Sequence, residues 1–244
     1  MPGPSRERAQ PEKTKPARST ESVDNYLKAI LTLGGVEESR VTGNVLAAKL
    51  GVAPASVTNM LQKLAAAPHP LVEYERHRGV LLSKAGKRRA LEVVRHHRLL
   101  ETFLYEVLDY PIEEVHEEAE RLEHFISERF EERIAAKLGH PKIDPHGHSI
   151  PTMEGEMPRQ SSILLNEVVL SEGQAGSFIV DCISDRHAAT LRSLKASGMT
   201  PGAKLRVKKI AKPEGYSVRV GRSTKPLDLS REMAGEVRIL PVAK

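Results

Sequence analysis

The sequence is poor in cysteine and in long apolar runs. A single cysteine, Cys182, among 244 residues leaves no internal disulfide and argues against a thiolate zinc site. The longest apolar runs, such as Ile163 to Leu165, fall far short of the roughly 20 residues that span a bilayer, so no membrane contact is expected. The N-terminus is basic but lacks the apolar segment of a signal peptide, and with the lone thiol this points to a reducing cytoplasm. The length suits two to three compact units.

Net charge is only +5, yet its distribution is uneven. Lys and Arg stand against Asp and Glu as 5 to 2 in residues 1–18, 10 to 6 in 19–89, and 6 to 13 in 90–139. A basic front suits a polyanion and an acidic middle suits a cation, although solvated helix faces produce the same contrast.

Residues 1–18 hold four prolines, five basic residues and almost no large apolar side chain, so a flexible basic arm is expected. From Ser19, the stripe Val23, Tyr26, Leu27, Ile30 and Leu31 predicts a helix closed by Gly34-Gly35. Thr42 is placed to cap a second helix ending at Gly51, and Pro54 opens a third with Val57, Met60, Leu61 and Leu64 inward. Leu71 to Tyr74 and Val80 to Leu82 flank a turn, predicting a β-hairpin. Three helices and a hairpin make residues 19–89 a winged helix-turn-helix.

Ser83 can cap a long helix through about Leu108, and a second helical pattern runs on to Leu138, giving a helical domain over 90–140. Pro, Gly, His and Ser mark 141–162 as a linker. In 163–244, short strands at Ser177 to Cys182, Lys204 to Ile210, Tyr216 to Val220 and Val237 to Val242, with a helix around Ala188 to Ala196, predict a small barrel. The fold class is therefore mainly α with a small β domain.

Ala47, Gly51 and Val57 have helix-turn-helix spacing: a small residue for close approach, a glycine for positive φ, and a packing valine. The outer face of the third helix presents Ser56, Thr58, Asn59, Gln62 and Lys63, side chains suited to base edges and phosphate in the major groove. Arg76 and Arg78 at the hairpin tip suit phosphate or the minor groove. An ordinary polar face beside a polar turn would carry the same letters.

In the acidic part, His116, Glu120, Glu123 and His124 fall on one continuous helical ridge, and His97 and Glu101, four apart, share a face of the preceding helix. Nitrogen and oxygen donors without thiolate suit Mn²⁺, Fe²⁺ or Co²⁺ and also accept Zn²⁺ or Ni²⁺. Paired helices with such groups also build di-metal enzymes, but no matched pair of Glu-x-x-His elements occurs in 90–138.

Val57-Thr58-Asn59-Met60-Leu61-Gln62-Lys63-Leu64 resembles the recognition helix of the diphtheria toxin repressor family, and His116 to His124 resembles its metal helix. Pro145 to Pro151 is similar to the loop preceding the tail domain in iron-type members. The resemblance runs from about Ser19 to Val242 and implies a homodimeric regulator, not an enzyme, with no small organic substrate. It implies repression of metal-uptake genes on a palindromic double-stranded DNA operator, with Mn²⁺ ahead of Fe²⁺ as cofactor.

The same resemblance implies Glu120, Glu123, His124 and Asn25 as a primary metal site, tying the first helix to the sensory helices. It implies His97, Glu101 and His116 as an ancillary site, and an SH3-like barrel as the tail. Glu120 stands where iron-type members usually carry Cys, which favours the harder Mn²⁺. Asn25 stands where the family has Met or Asp, with Asp24 beside it as an alternative. Asp185 lies near a position from which the tail domain supplies an extra ligand.

Overall fold

A computed structural model describes residues 17–35, 39–158, 161–170, 174–210 and 215–242. Most of the expected basic arm, 1–16, lies outside them. The chain divides into two units, 1–86 and 87–244.

The first unit is built on α1 (Ala17–Gly34), α2 (Gly43–Leu50), α3 (Pro54–Ala65), β1 (Val72–Glu75) and β2 (Gly79–Leu82). α1 packs on α2 and β2, and α3 packs on α2 and β1. Leu27, Leu46, Val57, Leu61 and Val80 are fully enclosed between them, each stabilising the fold by about 1.5–3 kcal/mol. Gly51 ends α2 with φ +65° and its N–H returns to Ala47 O, so the tight turn into α3 requires glycine. Thr42 occupies the N-cap position of α2, but its side chain makes no capping bond. The two strands pair antiparallel with Glu75 opposite Gly79.

The second unit begins with α4 (Lys84–Leu108, its first turn in the first unit), where the Ser83 hydroxyl accepts from Gly86 N–H at 3.1 Å. The single helix expected to reach Leu138 is instead two: α5 (Val115–Leu122) and α6 (Glu128–Lys137). Ser127 in extended backbone caps a new helix by accepting from Phe130 N–H, so the helix that carries His116 and Glu120 closes at Glu123 and does not run on to Leu138. Leu99, Leu100, Leu104, Val115, Ala119, Ile134 and Ala135 form the helical core, joined by Ile150 from the segment expected as a linker.

The C-terminal part holds β3 (Ile163–Leu164), β4 (Ala175–Ile183), α7 (Ala188–Ala196), β5 (Lys204–Ile210), β6 (Gly215–Val220), β7 (Leu227–Ser230), α8 (Arg231–Ala234) and β8 (Val237–Pro241). Six strands form an antiparallel sheet in the order β3-β8-β4-β5-β6-β7. Among the described residues no pairing joins β7 to β3, so the ladder is open. Alternate residues such as Leu205 and Val207 turn inward with Val180, Val218 and Ile239 to make a second core. Among the described residues no helix is long and apolar enough to cross a membrane.

Candidate metal centre and DNA-reading face

His97 and Glu101 stand one turn apart on α4, and His116 opens toward them from α5. His97 Nε2 lies 3.0 Å from Glu101 Oε1 and 3.1 Å from His116 Nδ1, which is itself 3.2 Å from Glu101 Oε1. Asp185, in the turn between β4 and α7, completes the group with Oδ2 3.4 Å from His116 Nδ1. One donor atom from each of these four residues lies within 4.8 Å of all the others. Glu101 is wholly buried and His97 nearly so.

A second wall comes from the loop before β3. Asp144 Oδ1 accepts from the N–H groups of His146 and His148, curling the chain inward. Gly147, at φ +92°, leaves no room for a side chain because a Cβ there would meet Asp181 O at 2.2 Å. His146 is completely buried. Its Nε2 lies 3.1 Å from the carbonyl of Ile112, an acceptor only, so Nε2 carries the hydrogen. A neutral His146 therefore turns its Nδ1 lone pair toward Glu101 Oε2, 3.7 Å away, and neither atom makes a hydrogen bond.

These donors fit a divalent cation. Two ligand atoms sharing an ion at about 2.1 Å lie roughly 3–3.5 Å apart, close to the spacings found here. The backbone bond that fixes the His146 tautomer is the support such a ligand needs, and Glu123 gives His97 the same support, its Oε2 lying 2.6 Å from His97 Nδ1.

Protons now neutralise the cluster. Burial disfavours charge on His116, but hydrogen bonds to Asp185 and Glu101, with their charges, outweigh it and raise its pKa to about 10. Burial likewise opposes ionisation of Glu101, yet the charge of His97, hydrogen bonds from His116 and His97, and the His146 ring close by hold it well below the usual carboxylate range. Asp185 is lowered against its own burial, chiefly by the His116 hydrogen bond.

Glu123 closes α5 and is buried, with Oε1 3.4 Å from His124 Nε2. Glu120 is half exposed, and its Oε2 lies 3.4 Å from His116 Nε2. Asn25 lies half-buried on α1 in the first unit, next to buried Asp24. The groups not anticipated as ligands are Asp144, His146 and His148; their Asp-x-His-x-His alternation was the available signal, masked by a composition typical of linkers.

In the first unit, Ser56, Asn59, Gln62 and Lys63 are exposed on α3 opposite Val57, Leu61 and Leu64, while Thr58 is half-buried with its hydroxyl on Pro54 O. Arg76 and Arg78 are exposed at the hairpin tip. Glu75 accepts from Arg78 at 2.9 Å and from Arg40 at 2.6 Å, and Arg40 was not anticipated.

The models for the iron-dependent repressor N-terminal DNA-binding domain and for its metal-binding and dimerisation domain match residues 19–80 and 83–152. The iron-dependent repressor IdeR of Mycobacterium tuberculosis is 33% identical over 166 residues, 65% of this chain and 71% of that protein. A solved manganese-dependent transcriptional repressor in complex with manganese superposes with TM-score 0.80 at 36% identity, over 90% of this chain and 100% of the other. ScaR with bound Zn²⁺ superposes with TM-score 0.74 at 31% identity, over 90% and 99%.

Proposed function

The chain belongs to the diphtheria toxin repressor family and is a metal-dependent DNA-binding regulator, not an enzyme; from that premise we propose that it represses metal-uptake genes as a cytoplasmic homodimer on a palindromic operator. The observation that carries the metal-sensing part is the buried convergence of His97, Glu101, His116 and Asp185, with His146 facing Glu101. Exposed Leu108, Phe125 and Phe130 in the helical part support pairing of two copies.

His97, Glu101, His116, His146 and Asp185 would hold one cation, and Glu120, Glu123 and His124 would serve a second. A bound divalent ion supplies a fixed positive charge that replaces protons among these groups. Glu101 then binds and orients, His146 is held by Ile112 in the tautomer that presents Nδ1, and Glu123 keeps the His97 ring in place. By linkage, whatever metal does for operator affinity, operator does for metal affinity.

All these donors are nitrogen or oxygen, and the buried Cys182, which lies against Gly147 in the neighbouring loop, is not among the grouped donors, so the set suits Mn²⁺ or Fe²⁺. Glu120→Cys is expected to shift the response toward softer metals. Equal Mn²⁺ and Fe²⁺ midpoints in parent and variant, titrated anaerobically, would exclude ligand hardness there as the source of preference. Metal stoichiometry of Asn25→Ala decides whether α1 supplies a ligand.

We read 163–244 as an SH3-like barrel. β4 pairs with β5 through its first half and with β8 through its second, with a bulge between Val180 and Cys182, the curvature a barrel needs. The DNA-reading part rests on α3. Asn59→Ala should narrow the gap between operator and random duplex by about 1–3 kcal/mol if it makes a bidentate base contact. Arg78→Ala should weaken both duplexes by similar factors and lower the salt slope. The reverse pattern would mean that α3 does not read bases. The test of the whole reading is selection of duplexes from a random pool with Mn²⁺, followed by chelator: retained binding after chelation contradicts metal dependence.

A further inference from the structure

The sheet of the C-terminal part carries an exposed cationic face that the metal sites do not use. Along β5, Lys204, Arg206 and Lys208 alternate outward while Leu205 and Val207 turn into the core. Arg206 lies directly opposite Arg219 on β6 and opposite Ser177 on β4, and Lys208 lies opposite Ser217. Asp228 on β7, across from Ser217, is the acidic residue at its margin. Among the described residues, none of the four cations is within ion-pair distance of an acid. Between positions 204 and 225 the sequence places eight Lys and Arg against one acid, Glu214.

Like charges set directly opposite each other on a sheet destabilise it. Solubility alone is served by mixed charges. Side chains that repel one another within their own fold are relieved by an external anion. We propose that this face of β4, β5 and β6 is a second phosphate-contact surface, by which the sheet domain holds the backbone of duplex DNA independently of sequence.

Three features favour duplex DNA. Alternate residues along β5 are about 6.7 Å apart, giving a straight row of cations for a stiff polyanion whose charges recur at a short regular spacing. The neighbours Ser177 and Ser217 are short, so the face offers charge without the protruding amide groups that read bases. The same chain carries a DNA-binding unit, so once that unit is bound this face meets phosphate at high effective concentration and weak contacts suffice. The inference rests on the DNA-binding reading above.

The test uses the full chain loaded with Mn²⁺ and a mixed-sequence duplex, comparing parent with the quadruple variant Lys204→Gln, Arg206→Gln, Lys208→Gln and Arg219→Gln. All four positions are exposed, and relief of repulsion should leave the melting temperature unchanged or raised. Expected are a loss of affinity of about tenfold or more at moderate salt and a shallower salt dependence, by roughly one in slope for each lost phosphate contact. Metal stoichiometry should not change.

A variant with parental affinity and slope overturns the proposal. So does a variant that differs from the parent only in co-sedimentation with phosphatidylglycerol vesicles, which would assign the face to a membrane. A parent that binds no duplex under any metal overturns the DNA-binding reading together with this one, whereas a binding parent with an indistinguishable variant overturns this one alone.

Discussion

Glu101→Gln is expected to lower Mn²⁺ affinity by roughly 100-fold or more, beyond the loss typical of a group that merely supports a ligand, and with it to remove metal-stimulated DNA binding. Glu101 stands among the three histidines of the cluster: Oε1 meets His97 and His116, and Oε2 faces His146. Gln keeps the volume and one carbonyl oxygen but removes the negative charge that a buried cation needs among neutral imidazoles. The metal-free protein should remain folded, because Gln fills the same space and Asp185 still faces His116. That expectation separates a ligand from a structural anion. Glutamine here with parental metal stoichiometry and a lowered melting temperature would show that Glu101 only balances charge within the fold.

The central place of Glu101 was partly readable from the sequence. Spacing placed His97 and Glu101 on one face of α4, and the resemblance added His116. The strand at Lys204–Ile210 was marked by the glycine and prolines around it and the helix at Ala188–Ala196 by its helical pattern, and the structure has the same limits. Ala47 and Val57 are buried and Gly51 has positive φ, as the helix-turn-helix spacing requires.

The break at 123–127 was not readable, because the apolar period continues from Ala119 through Leu122 and Ile126, and only the Ser127 cap marks the new start. The loop 144–148 was hidden for a different reason. Its composition is that of a solvated linker, and its burial depends on a local turn in which Asp144 binds two N–H groups and on a glycine seated against β4, a contact made across distant sequence. Asp185 joins only because β4 ends beside this loop, where Ile183 N–H donates to His146 O.

Metal binding is expected to strengthen steeply with pH and to release protons. In the metal-free protein His116 has its pKa raised to about 10 by Asp185 and Glu101 acting against burial, so at neutral pH it holds a proton that a cation must displace. His146 is raised as well: its burial is outweighed by the Glu101 carboxylate facing it and by the nearby charges of Asp144 and Asp185. For each displaced proton, apparent affinity should rise roughly tenfold per pH unit as pH climbs toward the folded His116 value of about 10.

The metal-free fold should respond in the opposite sense. A folded pKa raised above the unfolded one gives His116 a stabilising contribution fully present below 6.5 and lost as pH climbs through about 10. Glu101, lowered from 4.5, contributes above that value and loses its contribution as pH falls toward its folded pKa. The metal-free melting temperature should therefore decline from pH 6.5 upward while metal affinity increases. Calorimetric titration with Mn²⁺ in buffers of different ionisation enthalpy counts the protons directly, and below pH 9 at least one per cation bound at this site is expected. A count of zero, with affinity flat between pH 6.5 and 9, would mean that the cation binds elsewhere and leaves the proton on His116 in place.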